Sequence, residues 1–173
     1  TMTSILKVSE IQDPTNGNTA LTVDSAGRIK QPVKPVFYSI GQGLGWIAVP
    51  NSATLITGWD TSTSHYISQG GMSYSGGRVT VPVAGIYRVT GQIMARFTQG
   101  QYVLIRTALN ASIQNTGQVY TTAGTLTQEP TLTNNILVNC SANDILDLRV
   151  QGSSGTAYYY LSSYSNFGIE LVS

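Results

Sequence analysis

The sequence predicts an all-β chain: a two-sheet antiparallel jelly-roll sandwich preceded by an extended N-terminal arm with short strands. Three observations carry that expectation. Charged residues are only 10% of the chain and Ser, Thr, Asn and Gln about a third, against roughly 25% charged residues in an average soluble domain. That mixture offers few Glu–Lys pairs, and Ser, Thr and Asn side chains compete with the helical backbone, so strands and turns are favoured. Short apolar runs recur at roughly 8–12-residue spacing between Gly-, Pro-, Asn- and Ser-rich breaks, the rhythm of a sandwich of roughly eight or nine strands. Finally, no stretch long enough for a helix carries apolar residues at i, i+3, i+4 and i+7 free of Gly, Pro or β-branched interruption.

Residues 1–35 read as an attachment arm with a Pro-containing linker, and 36–173 as the head. In the arm, Ile5-Leu6-Lys7-Val8-Ser9-Glu10-Ile11 is strand-like and Asp13-Pro14-Thr15-Asn16-Gly17 is a turn signal. Ala20-Leu21-Thr22-Val23 is a second short strand. Too few apolar residues are present for a core, so the arm must borrow partners. Fully extended, about thirty residues would reach on the order of 100 Å. Pro32 and Pro35 stiffen the join to the head.

In the head, strands are expected at Ala53–Trp59, Arg78–Val81, Ile86–Arg96, Tyr102–Leu109, Asn135–Cys140, Ile145–Val150, Ala157–Leu161 and Phe167–Leu171. Pro82 stops one strand, and Gly85 permits the reversal into Ile86, Tyr87 and Val89. With that number of strands a jelly roll is preferred to a small barrel.

Bulk properties narrow the function. Net charge is +1 with no basic stripe, so nucleic acid is not an expected partner, since non-specific binding needs many phosphate-neutralising cations. No apolar run is long enough to span a membrane. Residues 1–5 show no basic region leading into an apolar one, so no signal peptide is read there. The single Cys140 reads as a buried small apolar residue in a protein assembled in a reducing cytoplasm.

No catalytic set, cofactor site or metal site emerges, and the chain is not expected to be an enzyme. His65, the only histidine, has no recognisable Ser–His–Asp or Cys–His context and reads as a loop residue. Asp144 and Asp147, three apart, face opposite ways if both lie in a strand and make no acid–base pair. They read as solvated, with calcium binding as the alternative. The glycines at 41, 43 and 45 precede no helical pattern and read as turns, not as a dinucleotide loop. Tyr158-Tyr159-Tyr160, Tyr164 and Phe167 are open to three readings: alternate core packing, a subunit contact, or a carbohydrate-stacking site that would need an exposed Trp46 or Trp59.

Gly76-Gly77-Arg78-Val79-Thr80-Val81-Pro82-Val83-Ala84-Gly85-Ile86-Tyr87-Arg88-Val89 resembles the central hairpin of the complement-component-one-q heads, which share a fold with tumour necrosis factor. Leu137–Leu148, with Asn143-Asp144 at its turn, is similar to a strand–turn–strand of that family, and Ser165–Leu171 to its closing strand. Val36-Phe37-Tyr38-Ser39 is similar to its opening strand. The resemblance implies a homotrimer of jelly-roll heads. Ile5–Asp13 followed by Gly17–Ile29 resembles the N-terminus of many bacteriophage virion proteins, which implies an arm attached to the particle.

The expectation is therefore a trimeric capsid decoration (cement) protein on the virion surface, assembled in the host cytoplasm and anchored to the major capsid protein. Ile5, Leu6, Val8 and Ile11 are the expected docking residues, through strand addition to an exposed edge. Tyr87, Tyr159, Phe167 and Ile169 are the expected trimer interface. The alternative is a trimeric tail-fibre or appendage tip binding a host-surface glycan.

Overall fold

The computed structural model describes residues 9–12, 19–31, 33–62, 64–120, 127–153 and 157–173, with the side chains at 19 and 115–120 left out. The chain divides into two compact units, Thr1–Lys34 and Pro35–Ser173.

The first unit holds β1 (Glu10–Gln12), β2 (Thr19–Val23) and β3 (Ile29–Lys30), an antiparallel sheet in the order β1-β2-β3. Asp24 builds the β2–β3 turn. Its carboxylate accepts the backbone N–H groups of Ala26 and Arg28 at 2.9 and 3.0 Å and the Arg28 Nε at 2.8 Å. Those bonds hold its pKa below the ordinary value. Gly27 sits at φ +78°, where an L side chain would be strained. A reach on the order of 100 Å does not hold for this segment, because its strands fold back and pair with one another.

The second unit contains β4 (Val36–Ile40), β5 (Gly45–Ala48), β6 (Thr54–Leu55), β7 (Ile67–Gln69), β8 (Ser73–Ser75), β9 (Arg78–Thr80) and β10 (Gly85–Arg96). It continues with β11 (Tyr102–Leu109), β12 (Ser112–Tyr120), β13 (Thr131–Cys140), β14 (Ile145–Gly152), β15 (Tyr158–Leu161) and β16 (Asn166–Leu171). One sheet runs β5-β15-β10-β16-β4-β7, with β13 also pairing β10. The other runs β12-β11-β14-β9-β8, with β6 beside β14. All the pairings are antiparallel. The head is a two-sheet β-sandwich, as its strand pattern requires.

Alternation puts the core between the sheets. In β10, Tyr87, Val89, Gly91, Ile93 and Ala95 point inward, and Arg88 faces out. Leu146, Leu148 and Val150 of β14 come from the opposite sheet to meet them. Phe37, Trp59 and Phe167 form the aromatic centre, with Phe167 5.3 Å from Phe37 and 5.6 Å from Trp59 between ring centroids. Each is at most 1% exposed, enough to remove nearly the whole ring from water.

Four strands had no clear signal in the sequence: β5, β7, β8 and β12. Of the run expected at 53–59, only Thr54–Leu55 is strand, while Trp59 makes an isolated bridge to Gly41. Gly41 is there because nothing larger fits: a Cβ would lie 2.7 Å from the Ser162 nitrogen and 2.8 Å from the Leu161 carbonyl carbon, both backbone. The next glycines make the turn into β5, Gly43 at φ +80° and Gly45 at +76°.

Candidate functional site

Two surfaces stand out among the described residues, one in each unit. The N-terminal sheet pairs Ile11 with Leu21 and Val23 with Ile29. Leu21 and Val23 are two apart, so all four side chains share one face. They surround a wholly apolar hollow of about 150 Å³. Ile11 is 49% exposed and Ile29 68%. No second layer within the described residues of that unit covers them.

The head presents the outer face of the β10 sheet. Register aligns Leu137, Arg88, Glu170 and Val36 in one row across four strands, and Asn135, Thr90, Gly168, Tyr38 and Ile67 in the next. Gly168 leaves a shallow hollow of about 190 Å³ walled by Tyr38, Thr90, Arg88 and Glu170. A Cβ there would sit 2.6 Å from Thr90 Oγ1, so any larger residue would displace Thr90 or narrow the hollow. Leu137 protrudes beside it, 60% exposed. The charges on this face pair with each other: Arg88 Nη1 lies 2.9 Å from Glu170 Oε1.

At the far end of the same face, β15 lies between β10 and β5. Arg96 is opposite Tyr158, Met94 opposite Tyr160, and Tyr160 opposite Trp46. The Arg96 guanidinium stands 4.0 Å over the Trp46 ring and donates through Nε to Glu129 Oε1 at 2.6 Å. Trp46, Tyr160 and Tyr164 form a ladder with ring centroids 4.9 and 6.5 Å apart. The tyrosine run alone could not reveal this group. Its signal lay in the register that places Trp46 and Arg96 beside Tyr158 and Tyr160.

The four residues expected at a trimer interface lie elsewhere. Tyr87 and Phe167 are fully buried in their own chain, Ile169 is 2% exposed and Tyr159 7%. None offers a side-chain surface to a neighbouring subunit, which corrects that expectation. Tyr87 explains why: its hydroxyl donates to the Val83 carbonyl at 2.9 Å, closing the hairpin turn from inside. Of the expected docking residues, Ile5, Leu6 and Val8 lie outside the described residues, and Ile11 is on the exposed apolar face.

His65 is exposed in a turn. Cys140 is buried, and burial followed by the nearby Asp144 charge pushes its thiol up to about 11, far from a nucleophile. Asp144 accepts from Asn110 Nδ2 at 2.8 Å and from the Ser141 N–H at 2.7 Å, bonds that hold its carboxyl below the ordinary range. Asp147 is not solvated as expected. It is fully buried and held by Arg149 at 2.8 and 3.2 Å, with Arg78 at 3.8 Å. Arg149, two residues along the same strand face, folds back over it. Among the described residues no three metal-ligating side chains converge, and no helix is long and apolar enough to cross a membrane.

No protein-family model and no curated protein matches the sequence. Solved structures do. Eiger TNF from S. frugiperda superimposes with a TM-score of 0.62 at 15% identity, over 81% of this chain and 93% of that one. The fold is a TNF-like jelly roll. At that identity the likeness establishes architecture and nothing finer.

Proposed function

We propose that this protein is a non-enzymatic structural component of a bacteriophage particle, a trimeric capsid decoration protein whose N-terminal unit anchors it to the major capsid protein. The observation that carries the reading is the apolar face of Ile11, Leu21, Val23 and Ile29. A lone three-stranded sheet with such a face needs a second layer to be stable, and a capsid shell offers one. The anchoring surface is then this sheet face, in place of an extended strand reaching across the shell. The resemblance of the arm to virion-protein N-termini points the same way.

Trimerisation rests on the resemblance of the head to complement-component-one-q heads, and the outer face of the β10 sheet is suited to it. A protruding leucine beside a hollow suits insertion of Leu137 into the Gly168 hollow of the next copy, a head-to-tail contact of the kind that makes a ring when the rotation between copies closes. The Arg88–Glu170 pairing removes net repulsion between copies.

Mixing purified protein with emptied, undecorated phage heads tests the reading. Wild type should coat the heads. Ile29→Asp, and deletion of Thr1–Ile11, should leave a folded trimer that no longer coats them. Normal coating by either variant sinks the anchoring role.

A further inference from the structure

We propose that the end of the head opposite its Pro35 entry is a glycan-binding site, taking a neutral hexopyranose residue of a cell-surface polysaccharide. The inference does not rest on capsid attachment, which uses the other unit.

The chain enters the head at Pro35, whose carbonyl accepts the Leu171 N–H at 3.0 Å, and Leu171 pairs with Tyr87 near the start of β10. The aromatic ladder flanks the other end of β10, at Met94 and Arg96. Eleven strand steps separate Gly85 from Arg96, roughly 36 Å at ~3.3 Å each. A head tethered through Pro35 holds this end away from its tether.

The chemistry matches a sugar. A pyranose has an apolar face of axial C–H groups, which stacks on aromatic rings, and a rim of hydroxyls, which takes paired hydrogen bonds from planar polar groups. Neither tryptophan is the open ring expected from the sequence, since Trp59 is buried and Trp46 is half-buried under Arg96; Tyr164 supplies that ring instead, at 67% exposure and stacked at 30° on Tyr160. Its backbone is fixed at both ends: Tyr164 N donates to Ser162 Oγ at 3.3 Å and Gln92 Nε2 donates to Tyr164 O at 3.0 Å. The adjoining Ser165 N–H donates to Ser162 O at 2.8 Å. An exposed ring on a pinned backbone loses little freedom when a ligand lands on it.

The polar rim stands alongside. Arg96 and Glu129 side chains are 39% and 44% exposed, within reach of a ligand's hydroxyls. Next to them Arg96, Thr98, Thr127 and Tyr158 edge a hollow of about 290 Å³, near the lower bound of roughly 300 Å³ for small-molecule sites and suited to one sugar ring. Because Arg96 is already neutralised by Glu129, the pair favours an uncharged sugar over a sialic or uronic acid.

Titration of the full-length protein with neutral oligosaccharides of glucose, galactose and mannose, followed by saturation-transfer NMR and tryptophan fluorescence, tests the proposal, with sialyl- and glucuronate-containing oligosaccharides run in parallel. The expected result is saturable binding of at least one neutral oligosaccharide, with transfer to the sugar's axial protons. Tyr164→Ala should weaken it roughly tenfold while head coating and sedimentation stay unchanged. Arg96→Gln should weaken it independently. Three outcomes overturn the proposal: no saturable neutral binder, equal affinity in Tyr164→Ala, or binding of charged sugars alone. Loss of the trimer in Tyr164→Ala would also overturn it, by assigning the ladder to a subunit contact.

Discussion

The N-terminal sheet and the head are built from the same strand chemistry and end in opposite states. In the head, Trp59, Phe37 and Phe167 vanish between two sheets. In the N-terminal unit, Ile29 and Ile11 lie on the apolar face of a single sheet and remain 68% and 49% exposed. The difference is the second layer. Alternation makes one face of a sheet apolar, and only an opposing sheet, a helix or another molecule removes that face from water. A covered face yields stability, and an uncovered one leaves apolar area in water.

Substitutions at matched apolar positions sharpen that contrast. Phe167→Ala should cost about 3–5 kcal/mol, the range for emptying an aromatic site in a packed core. The variant should keep the oligomeric state of the wild type in sedimentation under native conditions, because the ring is buried within its own chain. Dissociation of the folded variant into monomers would return Phe167 to a subunit interface. In the N-terminal unit, Ile29→Asp should move the unfolding of the head by no more than about 0.5 kcal/mol while abolishing head coating.

Gly41→Ala comes next. Its Cβ would meet backbone atoms of Leu161 and Ser162, which cannot swing aside as a side-chain tip can. A destabilisation of about 1–3 kcal/mol is expected by thermal melting. An unchanged melting temperature would mean that the β4–β5 connection is looser than its contacts imply.

The alkaline limb of stability tests the core through Cys140. With the folded thiol raised from 9.0 to about 11, the native state keeps a proton that the unfolded chain releases. Stability therefore falls as pH rises from about 9 and levels off above about 11, by on the order of 3 kcal/mol from this group. Tyr74, Tyr87 and Tyr159 are raised by burial too and add to the same trend. Cys140→Ala should flatten part of the slope, and the wild-type thiol should stay inert to a thiol reagent until the protein unfolds.

The smallest effect lies on the acid side, at the turn that precedes β14. The Asp144 carboxyl is lowered below 3.8 by Asn110 and the Ser141 N–H, so its contribution is present above that value and lost as pH falls through the native pKa. Asn110→Ala should shift the acid midpoint upward slightly. No shift would remove Asp144 from the turn's support.

Much of the head was legible because its local signals agree. Pro82 and Gly85 bracket the hairpin, the run from Ile86 to Arg96 keeps period two, and Asn143, at φ +70°, makes the turn its residue type allows. β12 was illegible for the opposite reason. Ser112–Tyr120 has no apolar alternation and forms a strand by pairing with β11 along its length. The interface residues were misplaced because period is readable and phase is not. Tyr158, Tyr159 and Tyr160 look alike in sequence, and only the pairing with β10 decides which of them turns inward.

The sequence by itself determined an all-β sandwich with a separate N-terminal segment, since composition, turn residues and strand period are local properties that each residue carries with it. The tertiary structure alone decided which apolar faces are covered, that Gly168 leaves a hollow beside Leu137, and that Trp46, Tyr160, Tyr164 and Arg96 converge. Those are matters of register between strands distant in the chain, and register is set by the simultaneous fit of two packed layers, which no local pattern encodes.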